Sequence, residues 1–395
     1  MKEKHVILRS TRAATGDLFL GPRSLPGASE LAPVGLSVEV EDIDRHSISA
    51  LTRNAEVLAV APSIPMKLIA PVDIQVTAEP HASGVAWGVT AVGADSSPFS
   101  GDGIVVAVLD TGIDAAHTAF AGVDIIQKDF TGEGNGDENG HGTHCAGTIF
   151  GRTTDGIRIG VAPGVRKALI GKVLGRQGGS SENIVSAIEW AVENGANVIS
   201  MSLGIDFPGF VEELQRRGFP PALATSRALE GYRANVQLFE RLASLIRAQG
   251  PFSQATIIIA AAGNESRRDE DADFEIAVSP PAVAEGIISV AALGQGNHGF
   301  TVAPFSNTGA NVSGPGVGVL SARVGGGLRT LSGTSMATPH VAGVAALWAG
   351  KIKASGVLNS LQLTARLIGS AGTEALESGL DPFDIGAGLV RAPQL

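Results

Sequence analysis

Apolar residues fall into two kinds of run along the chain. In the first sixty residues they come as short clusters or alternations: Val6-Ile7-Leu8, then Leu36-Ser-Val-Glu-Val-Glu with period two, then Glu56-Val-Leu-Ala-Val-Ala-Pro. These predict strands, and the stretch 44–54 between the last two, apolar at Ile48 and Leu51, predicts a helix. From Gly103 the runs become continuous, beginning with Ile104-Val-Val-Ala-Val-Leu and recurring at 168–174, 198–203, 256–262 and 287–292. Unbroken apolar strands suit a parallel sheet covered on both faces. They alternate with helical patterns at 142–150, 183–194, 222–249 and 335–351. The prediction is an α/β fold with a doubly wound, mainly parallel sheet, preceded by a small α+β domain.

Composition sharpens this only in places. At 395 residues and 44% apolar the chain can bury a large core. A net charge of −10 argues against nucleic acid, whose phosphates demand clustered Lys and Arg. Cys145 is the only cysteine, so no intramolecular disulfide forms. The first twenty residues lack a signal-peptide core, and no apolar stretch of eighteen residues suggests a membrane span. The expectation is a cytoplasmic protein with no membrane partner, unless a leader has been removed. Prolines and Gly84 mark a linker at 72–86, giving domains 1–71 and 87–395.

Candidate chemistry sits where the elements end. Asp110, in Asp110-Thr-Gly-Ile-Asp, follows a buried run directly, as a turn residue or as a carboxylate at a strand's carboxyl end. His141, in Asn139-Gly-His141-Gly-Thr-His144-Cys145, precedes a helix of small residues and is a structural group, a metal ligand or a base. No second cluster has zinc-like spacing, so no metal is expected there. Asn264 leaves the buried run ending Ala261-Ala262-Gly263 as a turn residue or an amide donor. Ser335, in Gly333-Thr-Ser335-Met-Ala-Thr-Pro-His, opens a helix of small apolar residues; it either caps that helix or offers its hydroxyl as a nucleophile at the helix N-terminus. Taken together, in the chain order Asp, His, Ser, they supply the parts of an acyl-transfer site.

Four blocks carry a specific resemblance: Val106-Ala-Val-Leu-Asp110-Thr-Gly-Ile-Asp, His141-Gly-Thr-His-Cys-Ala-Gly-Thr, Ala261-Ala-Gly-Asn264 and Gly333-Thr-Ser335-Met-Ala-Thr-Pro-His resemble those of the subtilisin-like serine peptidases. Gly160-Val-Ala-Pro, Lys172-Val-Leu and Ile199-Ser-Met-Ser-Leu-Gly204 resemble the family's connecting blocks, so the likeness runs from about Trp87 to the C-terminus. It implies a subtilisin-like fold and a serine endopeptidase that needs no cofactor and acts on proteins or peptides. In that reading Ser335 attacks, His141 moves the proton, Asp110 orients the imidazole, and the Asn264 side chain with the Ser335 backbone N–H holds the oxyanion. Substrate would lie extended between Gly178-Gly179-Ser180 and Ser202-Leu203-Gly204, in a cleft also shaped by Ala261, Ala262 and Gly263. Glu265 would reach the pocket of the residue before the cleaved bond and favour large or basic side chains.

The N-terminal domain resembles the family's inhibitory propeptide, an intramolecular inhibitor with a processing zone from Met66 to Ala82; an unrelated accessory domain is the other reading. Two departures from the family stand out. Where a calcium-binding aspartate is common, the chain reads His117-Thr118-Ala119-Phe120, and the loop 151–158 carries two arginines; the tight calcium site is expected to be absent. The acidic run around Asp269, Asp271 and Asp273 reads as a solvated loop. An insertion at about 205–227 adds a short amphipathic helix, and a long helix follows with apolar positions Leu229, Tyr232, Val236, Phe239, Leu242 and Ile246, a lid or a surface elaboration. A silent pseudoprotease or binding module remains the rival class. A Rossmann-type nucleotide binder is disfavoured, because Asp-Thr-Gly after Leu109 lacks the glycine fingerprint.

Overall fold

The computed structural model describes residues 2–11, 35–73, 84–250 and 254–395; part of the expected linker and processing zone, 74–83, lies outside the described residues. At the N-terminus β1 (Glu3–Thr11), β2 (Gly35–Ile43) and β3 (Val57–Pro62) form an antiparallel sheet in the order β2-β1-β3. Helix α1 (Arg45–Leu51) starts directly after β2 because the Asp44 carboxylate accepts the backbone N–H groups of His46 and Ser47. A further strand, β4 (Pro65–Leu68), leaves this sheet and pairs elsewhere.

The larger unit begins with α2 (Trp87–Ala91), β5 (Val105–Asp110), β6 (Asp124–Asp129), α3 (His141–Phe150) and β7 (Lys167–Lys172). It continues through β8 (Gly179–Ser180), α4 (Ser181–Glu193), β9 (Val198–Met201), β10 (Leu203–Ile205), α5 (Phe207–Arg216) and α6 (Pro221–Gln249). Strands β11 (Ile257–Ala261), β12 (Ile287–Gln295), β13 (Phe300–Val302), β14 (Val312–Pro315), β15 (Val319–Ala322) and β16 (Leu328–Leu331) follow. Helices α7 (Thr334–Ser355), α8 (Ser360–Gly369) and α9 (Pro382–Ile385) close the chain. Strand order is β13-β12-β11-β9-β5-β7-β6 with β14 also on β12, all parallel except β13. The continuous apolar runs follow from coverage on both faces. Along β5, Val106 and Val108 enter the core shared with α3 and α7, while Ala107 and Leu109 enter the one shared with α4 and α6. No helix among the described residues is long and apolar enough to cross a membrane.

The insertion differs from its expected form. Both α5 and α6 pack against the N-terminal sheet, with Val6, Leu8 and Ala61 in one buried cluster with Phe210, Leu238 and Phe239. The expected stripe on α6 holds at Phe239, Leu242 and Ile246, which are buried, and at Tyr232 and Val236, which are half-buried; Leu229 is 52% exposed, while Asn235 is buried and donates to the Pro62 carbonyl oxygen at 2.9 Å. That bond and one to the Gly231 carbonyl oxygen satisfy its donors, while Oδ1 is buried with no hydrogen-bond partner among the described residues. Arg217 adds an ion pair to Glu3 at 2.8 Å. The insertion is therefore a seat for the N-terminal unit.

Candidate active site

Asp110 ends β5 and His141 begins α3. Their proximity needs Gly142, where a Cβ would lie 2.2 Å from the Gly112 carbonyl oxygen. Asp110 Oδ1 lies 2.8 Å from His141 Nδ1 and accepts the Thr111 backbone N–H at 2.7 Å; both side chains of the pair are 1% exposed. Burial opposes a charged imidazole, yet the Asp110 carboxylate outweighs it and holds His141 well above its ordinary 6.5. His141 Nε2 is buried with no hydrogen-bond partner among the described residues. His144 is a structural histidine: its Nε2 faces the carbonyl oxygens of Val319 and Arg329, and burial lowers its pKa to about 3.

Asn264 lies beyond the end of β11, and its orientation is fixed. Oδ1 accepts the backbone N–H and the hydroxyl of Thr334, both at 2.8 Å, so Nδ2 is left to donate to the Ala70 carbonyl oxygen at 2.9 Å. Ser335, second residue of α7, does not cap its helix. Its Oγ donates instead to the Ile69 carbonyl oxygen at 2.7 Å. The Ser335 backbone N–H, in the first turn, has no acceptor one helical turn back.

Both carbonyls belong to the N-terminal segment. Strand β4 lies antiparallel between β10 and β8, pairing Leu68 with Leu203, Lys67 with Gly204, Met66 with Ile205 and Gly179, and Pro65 with Ser180. Beyond it, Ile69 N donates to Ser202 O at 3.3 Å and Val72 N to Ser332 O at 2.8 Å. Gly178 permits this contact: its φ is +84°, and a Cβ would lie 2.6 Å from the Met66 carbonyl oxygen. The side chains of Met66 and Ile69 are 1% and 3% exposed.

The expected strands thus all meet an extended segment, while other expected contacts fall elsewhere. Ala261, Ala262 and Gly263 spend their backbone groups inside the larger unit: Ala261 pairs with Val290, Ala262 N donates to Val290 O, and Gly263 N to the Thr334 hydroxyl. Asn307 holds Glu265 by donating to Oε2 at 2.8 Å and accepting its backbone N–H at 2.9 Å, and Glu265 Oε1 lies 3.5 Å from Lys67 Nζ.

Sequence reading missed Asp137. Its carboxylate accepts from the backbone N–H groups of Asn139, Gly140 and Thr143 and from the hydroxyls of Thr111 and Thr143. The turn after Asp110 is thereby tied to the start of α3. Burial raises its pKa, but these bonds outweigh that and keep it below 3.8. The available signal was an aspartate four residues before His141, with Thr111 directly after Asp110 and Thr143 two residues after His141.

Asp110, His141 and Cys145 place one ligand atom each within 4.8 Å of one another. Burial raises the Cys145 thiol, which disfavours the thiolate a metal needs. Around the calcium-loop positions, the Arg152 guanidinium donates to the carbonyls of Phe150 and Val165, and that of Arg158 to those of Ala94, Gly160 and Val161. Fixed cations occupy carbonyls of this region, so excess chelator is expected to move the melting temperature by no more than about 1 °C, under the 2–4 °C that about 1 kcal/mol shifts a large domain. A large, calcium-reversible drop in a thermal melt would contradict this.

The sequence profile of the subtilase family, Peptidase_S8, matches residues 101–388. The chain belongs to the subtilase family, and it is a subtilisin-like serine endopeptidase. Subtilisin DY of Bacillus licheniformis is 33% identical over 324 residues, 78% of this chain and 98% of that protein. An intracellular serine protease of Paenibacillus polymyxa is 36% identical over 256 residues, 62% of this chain and 67% of its own. An alkaline protease of Alkalihalobacillus alcalophilus is 32% identical over 367 residues, 89% and 78% of the two chains.

Proposed function

We propose that Ser335 is the nucleophile, His141 the general base, Asp110 the orienting carboxylate and Asn264 the oxyanion donor, and that the N-terminal unit, residues 1–71, holds the enzyme in a self-inhibited state. In turnover the Ser335 oxygen bonds to the substrate carbonyl carbon while its proton passes to His141 Nε2. Asn264 Nδ2 and the Ser335 N–H receive the developing oxyanion. The imidazolium returns the proton to the departing amine, and water then repeats the sequence on the acyl-enzyme. Asp110 keeps the proton on Nδ1, so that Nε2 is free to accept.

One observation carries the self-inhibited reading: the nucleophile and the oxyanion donor, which must act on a single carbonyl group, are divided between two. Ser335 Oγ bonds the Ile69 oxygen, and Asn264 Nδ2 bonds the Ala70 oxygen, one residue further on. The segment fills the substrate strand position, yet the hydroxyl donates to an oxygen and makes no bond to His141 Nε2. Ala70, preceding Pro71, is biased to extended backbone, which suits this register.

The test is Ile69→Glu in the full chain. A carboxylate forced into the Ile69 pocket costs more than about 1.4 kcal/mol, so hydrolysis of a short fluorogenic peptide should rise at least about tenfold. An unchanged rate would remove the inhibitory reading and leave an accessory domain.

A further inference from the structure

We propose that Asp206 and Glu265 form an acidic subsite that selects lysine or arginine at the third residue before the cleaved bond. The proposal rests on the reading above, in which β4 lies as a substrate does and Ile69 supplies the carbonyl facing Ser335. Counting back from Ile69, the third residue is Lys67, opposite Gly204 in the ladder. Its Nζ lies 3.5 Å from Glu265 Oε1 and 3.9 Å from Asp206 Oδ1, and these are the ion pairs that both carboxylates make among the described residues.

Neither carboxylate is a loose surface group. Glu265 is held by Asn307 on its other oxygen. Asp206 caps α5, its Oδ1 accepting the Gly209 backbone N–H at 3.3 Å, and so is set by the first turn of the insertion. Two fixed negative charges from separate elements therefore converge on one side-chain position of the bound strand. A cation there relieves their mutual repulsion; a carboxylate would add to it. Lysine and arginine share the required charge and reach, and both are expected to be favoured.

The pairs are about 35–40% exposed, so selectivity should be modest, about three- to tenfold in kcat/KM for lysine over methionine, with glutamate below both. The full chain is assayed with internally quenched peptides Ala-Met-Xaa-Leu-Ile-Ala-Ala, with Xaa lysine, arginine, methionine or glutamate, and mass spectrometry locates the cut after isoleucine. Ratios measured on one preparation cancel the fraction of molecules whose groove is open. In Asp206→Asn/Glu265→Gln the lysine-to-methionine ratio should fall to about one, as it should for the parent in about 1 M salt. Glu265→Lys should shift preference toward glutamate. Equal rates for the lysine and methionine peptides in the parent, or a preference that survives the double variant, would overturn the subsite while leaving the peptidase intact. Cleavage of none of the peptides even by the Ile69→Glu chain, whose groove is open, would overturn the placement of β4, and the subsite with it.

Discussion

Ser335→Ala should lower kcat for peptide hydrolysis by about a million-fold, the loss known for the nucleophile of subtilisin itself, and abolish labelling by a fluorophosphonate. The size follows from the proposed role: without Oγ no acyl-enzyme forms, and only binding and oxyanion stabilisation remain. The fold should survive. The change removes one oxygen from a fully buried side chain and deletes one hydrogen bond, to Ile69, worth about 1 kcal/mol. A thermal melt within a few degrees of the parent, together with lost labelling, is the expected pair of results. Retention of activity would remove Ser335 from the mechanism.

Asp110→Asn should cost about 10⁴-fold in kcat, because the asparagine amide donates toward Nδ1 and drives the imidazole proton onto Nε2, where it blocks acceptance from Ser335. The same substitution has a pH signature. The Asp110 charge holds His141 above its ordinary 6.5, and the neutral imidazole is the active form. The parent's kcat/KM should therefore rise with pH along a limb centred above 6.5, and the residual activity of the variant should have its limb at lower pH. A pH–rate profile of both proteins decides it; a limb that stays in place would mean that Asp110 does not set the His141 titration.

Asp110, Asn264 and Ser335 were legible because each lies within a few residues of a continuous apolar run, where short-range pattern and chemistry coincide, and His141 because it opens a helix of small residues. Asp110 closes β5, Asn264 follows β11, and Ser335 opens the fully buried start of α7. The strands at 178–180 and 202–204 were expected from the family resemblance and not from a local pattern. What escaped depends on contacts between residues distant in sequence. The pairing of Lys67 with Gly204 spans more than a hundred residues, and no local period encodes it. The direction of Glu265 is set by Asn307, forty-two residues later. On α6, hydrophobicity favoured Leu229 over Asn235, yet Asn235 is the one buried, donating to the Pro62 carbonyl.

The seat formed by α5 and α6 changes how the segment in the groove competes. Strand β4 follows directly on a sheet gripped by Asn235 and Arg217, so it meets the groove at a local concentration set by a tether of a few residues and independent of how much protein is present. For short tethers that effective concentration is on the order of millimolar, so a free peptide must exceed it, or bind far more tightly, to displace the strand. In the proposed self-inhibited state, dilution leaves the inhibition untouched, whereas a single cut between the groove and the larger unit converts a unimolecular contact into a bimolecular one. Activation by cleavage is then a switch in molecularity, and its sharpness follows from where the chain is anchored.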